Sequence, residues 1–95
     1  MKVSDIVLSL RGHDAGNHMV VLAVEGEFLF LADGKRRRAE KPKRKKQKHV
    51  ELAAESDSRV ALKLRAGEKV TNNELRRALA DFIAQRAQSE ADPNQ

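Results

Sequence analysis

The chain has no cysteine, no tryptophan and no tyrosine, and only three phenylalanines and two prolines among its 95 residues. Without cysteine there is no disulfide framework and no thiolate-held zinc or iron-sulfur centre, a composition suited to a reducing compartment. With so few aromatics, aliphatic side chains must fill the core. At 40% apolar and 35% charged residues that core is thin and the exterior heavily solvated. Long apolar runs are also lacking. No window approaches the roughly 20 apolar residues needed to span a bilayer, and the opening MKVSDIVLSLRGHD holds too short an apolar stretch for an export signal. The expectation is one small, soluble, cytoplasmic domain with no membrane association. A chain of this length buries only roughly two-thirds of its unfolded surface.

What is abundant is positive charge, and it is local. The run Lys35 to Lys48, KRRRAEKPKRKKQK, carries a formal charge of about +9, against +5 for the whole chain, which leaves about −4 for everything else. Such a density attracts a polyanion rather than a small acid. Each Lys or Arg that neutralises a phosphate releases condensed counterions, so ~6 contacts would give a salt slope near −5 on a duplex-like backbone.

Along the chain, Asp5 to Leu10 reads as a strand with Ile6, Leu8 and Leu10 on one face and Val7, Ser9 and Arg11 on the other. A loop with Gly12 and Gly16 follows. His18 to Glu25 and Phe28 to Ala32 form an apolar pair turning at Gly26-Glu27. Asp33-Gly34 is a strong hairpin signal that leads into the basic run, so KRRRA, Lys35 to Ala39, is expected as the fourth strand. In it Arg36 and Arg38 point outward, and Arg37 lays its stem on the core with its guanidinium in solvent. Pro42, lacking an N–H, ends the pairing, and Lys43 to Lys48 becomes a solvated connection of mobile charges. His49 to Glu55 supplies a fifth strand. Five short strands, two of them apolar on both faces, suggest a small barrel.

The barrel's outer apolar face needs a cover. Thr71-Asn72-Asn73-Glu74 fits a capping box, and Leu75, Ala78, Leu79, Phe82 and Ile83 recur on one helical face. Between barrel and helix, Val60, Leu62 and Leu64 alternate like a strand, whereas Ser58 and Gly67 fit the two ends of a short helix, the reading favoured here. The organisation expected is a barrel over 1–55, a connector over 56–70, an amphipathic helix over 71–88 packed on the barrel, and a disordered tail over 89–95. Such a helix and an apolar barrel face can also bury each other between chains, so the oligomeric state stays open.

Catalytic and metal chemistry find little support. His13, His18 and His49 lack ligand spacing and are expected at the surface, at loop and strand ends. Asp5, Asp14 and Asp33 sit at turns, where Asp bonds its own backbone. Ser9 has no arranged His and Asp partners, and Gly12 with Gly16 lacks the lysine and hydroxyl of a phosphate loop. Phe28 and Phe30 share a face and are expected in the core, which argues against a single-strand stacking platform. No enzyme, cofactor, metal or small-molecule substrate is expected.

Arg11-Gly12-His13-Asp14-Ala15-Gly16, then Leu31-Ala32-Asp33-Gly34, Pro42-Lys43 and Lys48-His49 occur in an order that resembles the KOW motif. The stretch is most similar to the SH3-like KOW domain of eukaryotic and archaeal large-subunit ribosomal proteins, and the resemblance covers about half the chain. It implies a five-stranded SH3-like barrel that binds RNA, usually ribosomal RNA, without catalysis; with the C-terminal amphipathic α-helix, which lies outside the motif, the fold expected is mainly β. The expected partner is folded RNA, in the ribosome or elsewhere in translation. The expected contacts are Arg11, Gly12, His13 and Gly16 from the glycine loop, and Lys35, Arg36, Arg37, Arg38, Lys41, Lys43, Arg44, Lys45, Lys46, Lys48 and His49 from the basic segment. The alternatives are a protein-interaction adaptor, for example of the transcription machinery, or a general nucleic-acid binder that also takes DNA.

Overall fold

A computed structural model describes residues 1–90, with the side chains of residues 89 and 90 excepted. Strands β1 (Ile6–Ser9), β2 (His18–Glu25), β3 (Phe28–Ala32), β4 (Lys43–Lys46) and β5 (Val50–Ala54) form one antiparallel sheet in the order β4-β3-β2-β1-β5. Helices α1 (Arg59–Arg65) and α2 (Asn72–Glu90) follow. β4 and β5 lie at opposite edges, yet only the 3-10 turn Gln47–His49 separates them in sequence. The four Cα-to-Cα steps from Lys46 to Val50 reach at most about 14 Å, whereas the edges of a flat five-stranded sheet stand about 19 Å apart. The sheet must therefore curl, and its two edges approach without forming a ladder with each other.

Curling creates an inside and an outside. Val7, Met19, Val21, Leu29, Leu31 and Val50 fill the inside. On the outer face Ile6, Val20 and Ala32 meet Val60 of α1 and Leu75 and Leu79 of α2. Each large aliphatic side chain among them, fully buried, contributes about 1.5–3 kcal/mol. The helices thus cover the face that could not be left in water, as expected. Ile83 does not join the stripe. It is half exposed, and residues 83–88 are all exposed, so the buried stripe of α2 ends at Phe82.

Local chemistry explains the helix ends. The Thr71 hydroxyl accepts from the Glu74 N–H at 3.1 Å and the Glu74 carboxylate accepts from the Thr71 N–H at 3.0 Å, the reciprocal capping box. The hydrogen bond from Lys63 and that backbone N–H hold the Glu74 carboxyl down at about 2, and the Lys63 bond also ties α1 to α2. α1 begins with the Ser58 hydroxyl accepting from the Ala61 N–H. It ends with Glu68 N–H on Lys63 C=O and Gly67 N–H on Leu64 C=O, with Gly67 at φ +77°. Ser89 and Glu90 continue α2 two residues past the expected end, and the rest of the expected tail, 91–95, lies outside the described residues.

The fourth strand is not where the sequence places it. Lys35 to Ala39 forms no strand, and Lys43–Lys46, expected as a solvated connection, pairs with β3 in the register Phe28↔Lys46 to Leu31↔Lys43. Pro42 precedes the pairing rather than ending it, a position where its missing N–H breaks no ladder bond. Alternation then points Lys43 and Lys45 to the inner side, with Leu31 and Leu29, and Arg44 and Lys46 to the outer side, with Phe30 and Phe28.

His18 also departs from expectation. It is half-buried, meets Phe82 edge-on with centroids 5.3 Å apart, and its Nε2 is buried without a hydrogen-bond partner. Burial, with the Arg86 charge nearby, holds this imidazole below its ordinary value of 6.5. A depressed value means that the native state favours the neutral ring. Its contribution to stability is therefore complete above about pH 6.5 and is lost as pH falls through the native value. Urea melts should show wild type losing more stability between pH 7.5 and 5 than His18→Leu does. Parallel losses would mean that His18 does not titrate against α2.

Candidate nucleic-acid interface

The glycine loop is a compact turn closed at its base. Ser9 N–H bonds Asn17 C=O at 3.0 Å and Gly16 N–H bonds Ser9 C=O at 2.8 Å, while residues Gly12–Asp14 make one 3-10 turn. That turn swings Asp14 inward, where it is buried, instead of leaving it to bond its own loop as a surface turn residue would. The Arg37 guanidinium grips the Asp14 carboxylate, with Nη2 to Oδ2 at 3.0 Å and Nε at 3.2 and 3.3 Å from the two oxygens. Burial pushes the Asp14 carboxyl up, but the Arg37 hydrogen bond and charge, with Lys45 and Lys43 behind them, outweigh it and hold the group below 3.8. Arg37 is therefore a clamp and not the free solvent-facing cation expected.

Lys45 is a second clamp. It is buried, and its ammonium donates to the Ser9 hydroxyl and to the Arg11 carbonyl. Burial lowers its pKa, only partly offset by Asp14. Read as a mobile phosphate contact, Lys45 would need solvent; its stem instead follows the inner side of the sheet and its charge ends under the glycine loop.

The arginine segment is a loop braced from both sides. Asp33 Oδ1 accepts from the N–H groups of Lys35 at 2.8 Å and Arg37 at 2.9 Å, and the N–H groups of Asp33 and Gly34 both bond Arg37 C=O. Here Asp33 does bond its own turn. From the other side, α2 contributes Asn72, whose Oδ1 accepts from Ala39 N–H at 2.7 Å, and Arg76, which donates to Gly34 C=O at 2.5 Å. Gly34, at φ +79°, lies so close that an added Cβ would stand 2.2 Å from Asn72 C=O.

These ties bring most of the expected residues together. Arg11, Gly12, His13, Lys43, Arg44, Lys46 and His49 line one cleft of about 370 Å³, with the clamped Asp14, Arg37 and Lys45 in its wall. Arg36, Arg37, Arg38, Lys41, Lys43 and Arg44 line an adjoining one of about 520 Å³. Lys35 and Arg36 also border α2 beside Arg76. Gly16 and Lys48, both exposed, line none of these clefts. Arg11, Lys35, Arg36, Lys41, Arg44 and Lys48 are exposed, as is Arg38, which sits 3.4 Å from Glu40; Lys46 is likewise 3.4 Å from Glu27. Such exposed pairs are worth at most about 1 kcal/mol. Burial and the neighbouring Arg11, Lys48 and other lysines hold His49 below its ordinary value of 6.5.

The sequence reading placed Phe28 and Phe30 in the core, but both are half-buried and belong to neither apolar cluster. Phe28 shares the first cleft with the Arg44 guanidinium, 3.6 Å above its ring centroid. Its place on the rim, next to the Gly26-Glu27 turn and on the face opposite Leu29 and Leu31, was the available signal. Among the described residues no group of His, Cys, Asp or Glu could hold a metal ion, and no helix is long and apolar enough to cross a membrane. No protein-family profile matches the chain, and no curated protein matches it.

Proposed function

We propose that this protein is a non-catalytic RNA-binding protein whose curled sheet is an SH3-like barrel of the KOW kind, and that it grips folded RNA of the ribosome or the translation apparatus. The observation that carries the reading is the cross-bracing: Arg37–Asp14 ties the glycine loop to the arginine loop and Lys45–Arg11 ties it to β4, joining them into one cationic surface. A solvated linker would have no use for a partly buried ion pair that sets its shape. The glycine loop offers backbone for close approach, the exposed arginines can fork onto phosphates, and the lysines add attraction from a distance. Folded RNA suits a surface made of fixed loops, because backbone geometry is what such a surface can match.

Converting Arg11, Arg36, Arg38 and Arg44 together to Glu tests the reading, since all four are exposed. The variant should melt near wild type, lose at least about 100-fold in affinity for ribosomal RNA, and show a salt slope shallower by roughly 3–4. Unchanged co-sedimentation with ribosomes or RNA would sink the proposal. Equal affinity for duplex DNA would make the protein a general nucleic-acid binder. Retention of a protein partner by the variant, with no RNA bound by wild type, would favour the adaptor.

A further inference from the structure

The cleft between the glycine loop and β4 contains more than charge. Phe28 lies on the outer face of the sheet, at the hairpin end that the helices do not reach, and its cross-strand neighbours are Glu25 and Lys46. No aliphatic cluster covers it. What covers it is the Arg44 guanidinium, 3.6 Å from the ring centroid, with the Lys46 ammonium 5.9 Å away. Arg44 is itself exposed, so its guanidinium lies over the ring and remains open to water. His13, His49 and Gly12 line the same cleft.

We infer that this cleft holds one unpaired base of the bound RNA, stacked on the Arg44–Phe28 pair. The inference rests on the RNA-binding reading above and deepens it by naming what the site selects. A guanidinium plane stacks on a base as an aromatic ring does, and its charge favours the π-face. At about 370 Å³ the cleft is at the small end of ligand sites, which run about 300–1,000 Å³, so it suits a single nucleoside and not a run of bases. A base within a duplex has both faces covered by its neighbours and cannot use this platform. The site therefore favours a bulge, a loop or a strand end beside a helical stretch whose phosphates meet Arg36, Arg38 and Lys41.

The test uses the full chain and two short RNA hairpins, one fully paired and one carrying a single bulged 2-aminopurine, with affinity and 2-aminopurine fluorescence as readouts. Wild type should prefer the bulged hairpin by about tenfold, a factor within the range of one base-aromatic stack, and should quench the fluorophore. Phe28→Leu should bring the ratio of the two affinities towards one and remove the quench, whereas Phe28→Tyr should keep both. Arg44→Lys, which retains the charge but not the plane, should also lower the ratio, and it covers the case in which Phe28→Leu fails to fold. Equal wild-type affinity for the two hairpins, or an unaltered ratio in Arg44→Lys and Phe28→Leu, would overturn the stacked base while leaving RNA binding standing. Failure to bind either hairpin would overturn both readings.

Discussion

Gly34→Val is expected to lose about 3–5 kcal/mol of folding stability, a large part of the ~5–15 kcal/mol typical of a domain. Two costs combine. At φ +79° any side chain is strained by about 1–3 kcal/mol. The new Cβ would also meet the backbone carbonyl of Asn72 at 2.2 Å and the Arg76 side chain at 3.1 Å. Backbone cannot swing aside as a long side chain can, so the first turn of α2 must move, with a further penalty of about 1–3 kcal/mol for overpacking. That movement would break the Asn72–Ala39 and Arg76–Gly34 bonds and release the arginine loop. Chemical denaturation should show a lower midpoint, and on the RNA-binding reading proposed above RNA affinity should fall even at temperatures where the variant is folded. Gly26→Ala is the control for the strained backbone alone, because its Cβ would meet nothing within 4 Å. Similar losses in the two variants would mean that α2 does not brace the loop.

Asp14→Ala is expected to cost about 2–3 kcal/mol. Removing one partner of a buried pair leaves the other charge uncompensated, at about 3–5 kcal/mol when burial is complete. The lower figure applies here because the Arg37 side chain is 32% exposed and water can reach it, whereas Asp14 is 5% exposed. If the loss comes from the stranded guanidinium, Arg37→Met added to Asp14→Ala should recover part of it, giving a coupling of about 1–3 kcal/mol in a double-mutant cycle. Strict additivity would deny the clamp. Acid provides a second check. The Asp14 carboxyl is held below 3.8, so the stability linked to it is complete above that value and disappears as pH falls through the native one. Wild type and Asp14→Ala should therefore converge in stability at the acid end. On the proposed reading, RNA affinity of Asp14→Ala should also fall, because the glycine loop loses one of its two ties to the basic segment.

Both predictions concern contacts between distant parts of the chain, and these were the parts hardest to read from sequence. Strands β2 and β3 have the bounds their apolar content implies, and β1 and β5 differ from expectation by one residue at each end. α2 starts where Thr71 and Glu74 cap it. Such features write themselves within a few residues, as alternation, as a turn dipeptide or as a hydroxyl three positions before a carboxylate. β4 leaves no such trace. KRKK has no apolar alternation, and in isolation nothing distinguishes it from solvated chain. It becomes a strand because the free edge of β3 offers a ladder and because the aliphatic stem of Lys45 can lie against Leu29 while its ammonium finds Ser9 and Arg11. Asp33-Gly34 makes the turn its dipeptide implies, but the path of the chain beyond it depends on Asn72, 33 positions after the Ala39 N–H that it holds.

The basic composition, the apolar strands, the glycine loop and the capped helix are determined by residue chemistry at short range, and each can be read without coordinates. Which cations stay free to meet a ligand, which become clamps, and that Phe28 lies under Arg44 instead of in the core, only the tertiary structure decided. The physical reason is that a lysine or arginine is locally alike in every setting. Its role depends on whether folding brings a carboxylate, a carbonyl or a ring within reach of a long flexible stem, and that is a property of the packed chain.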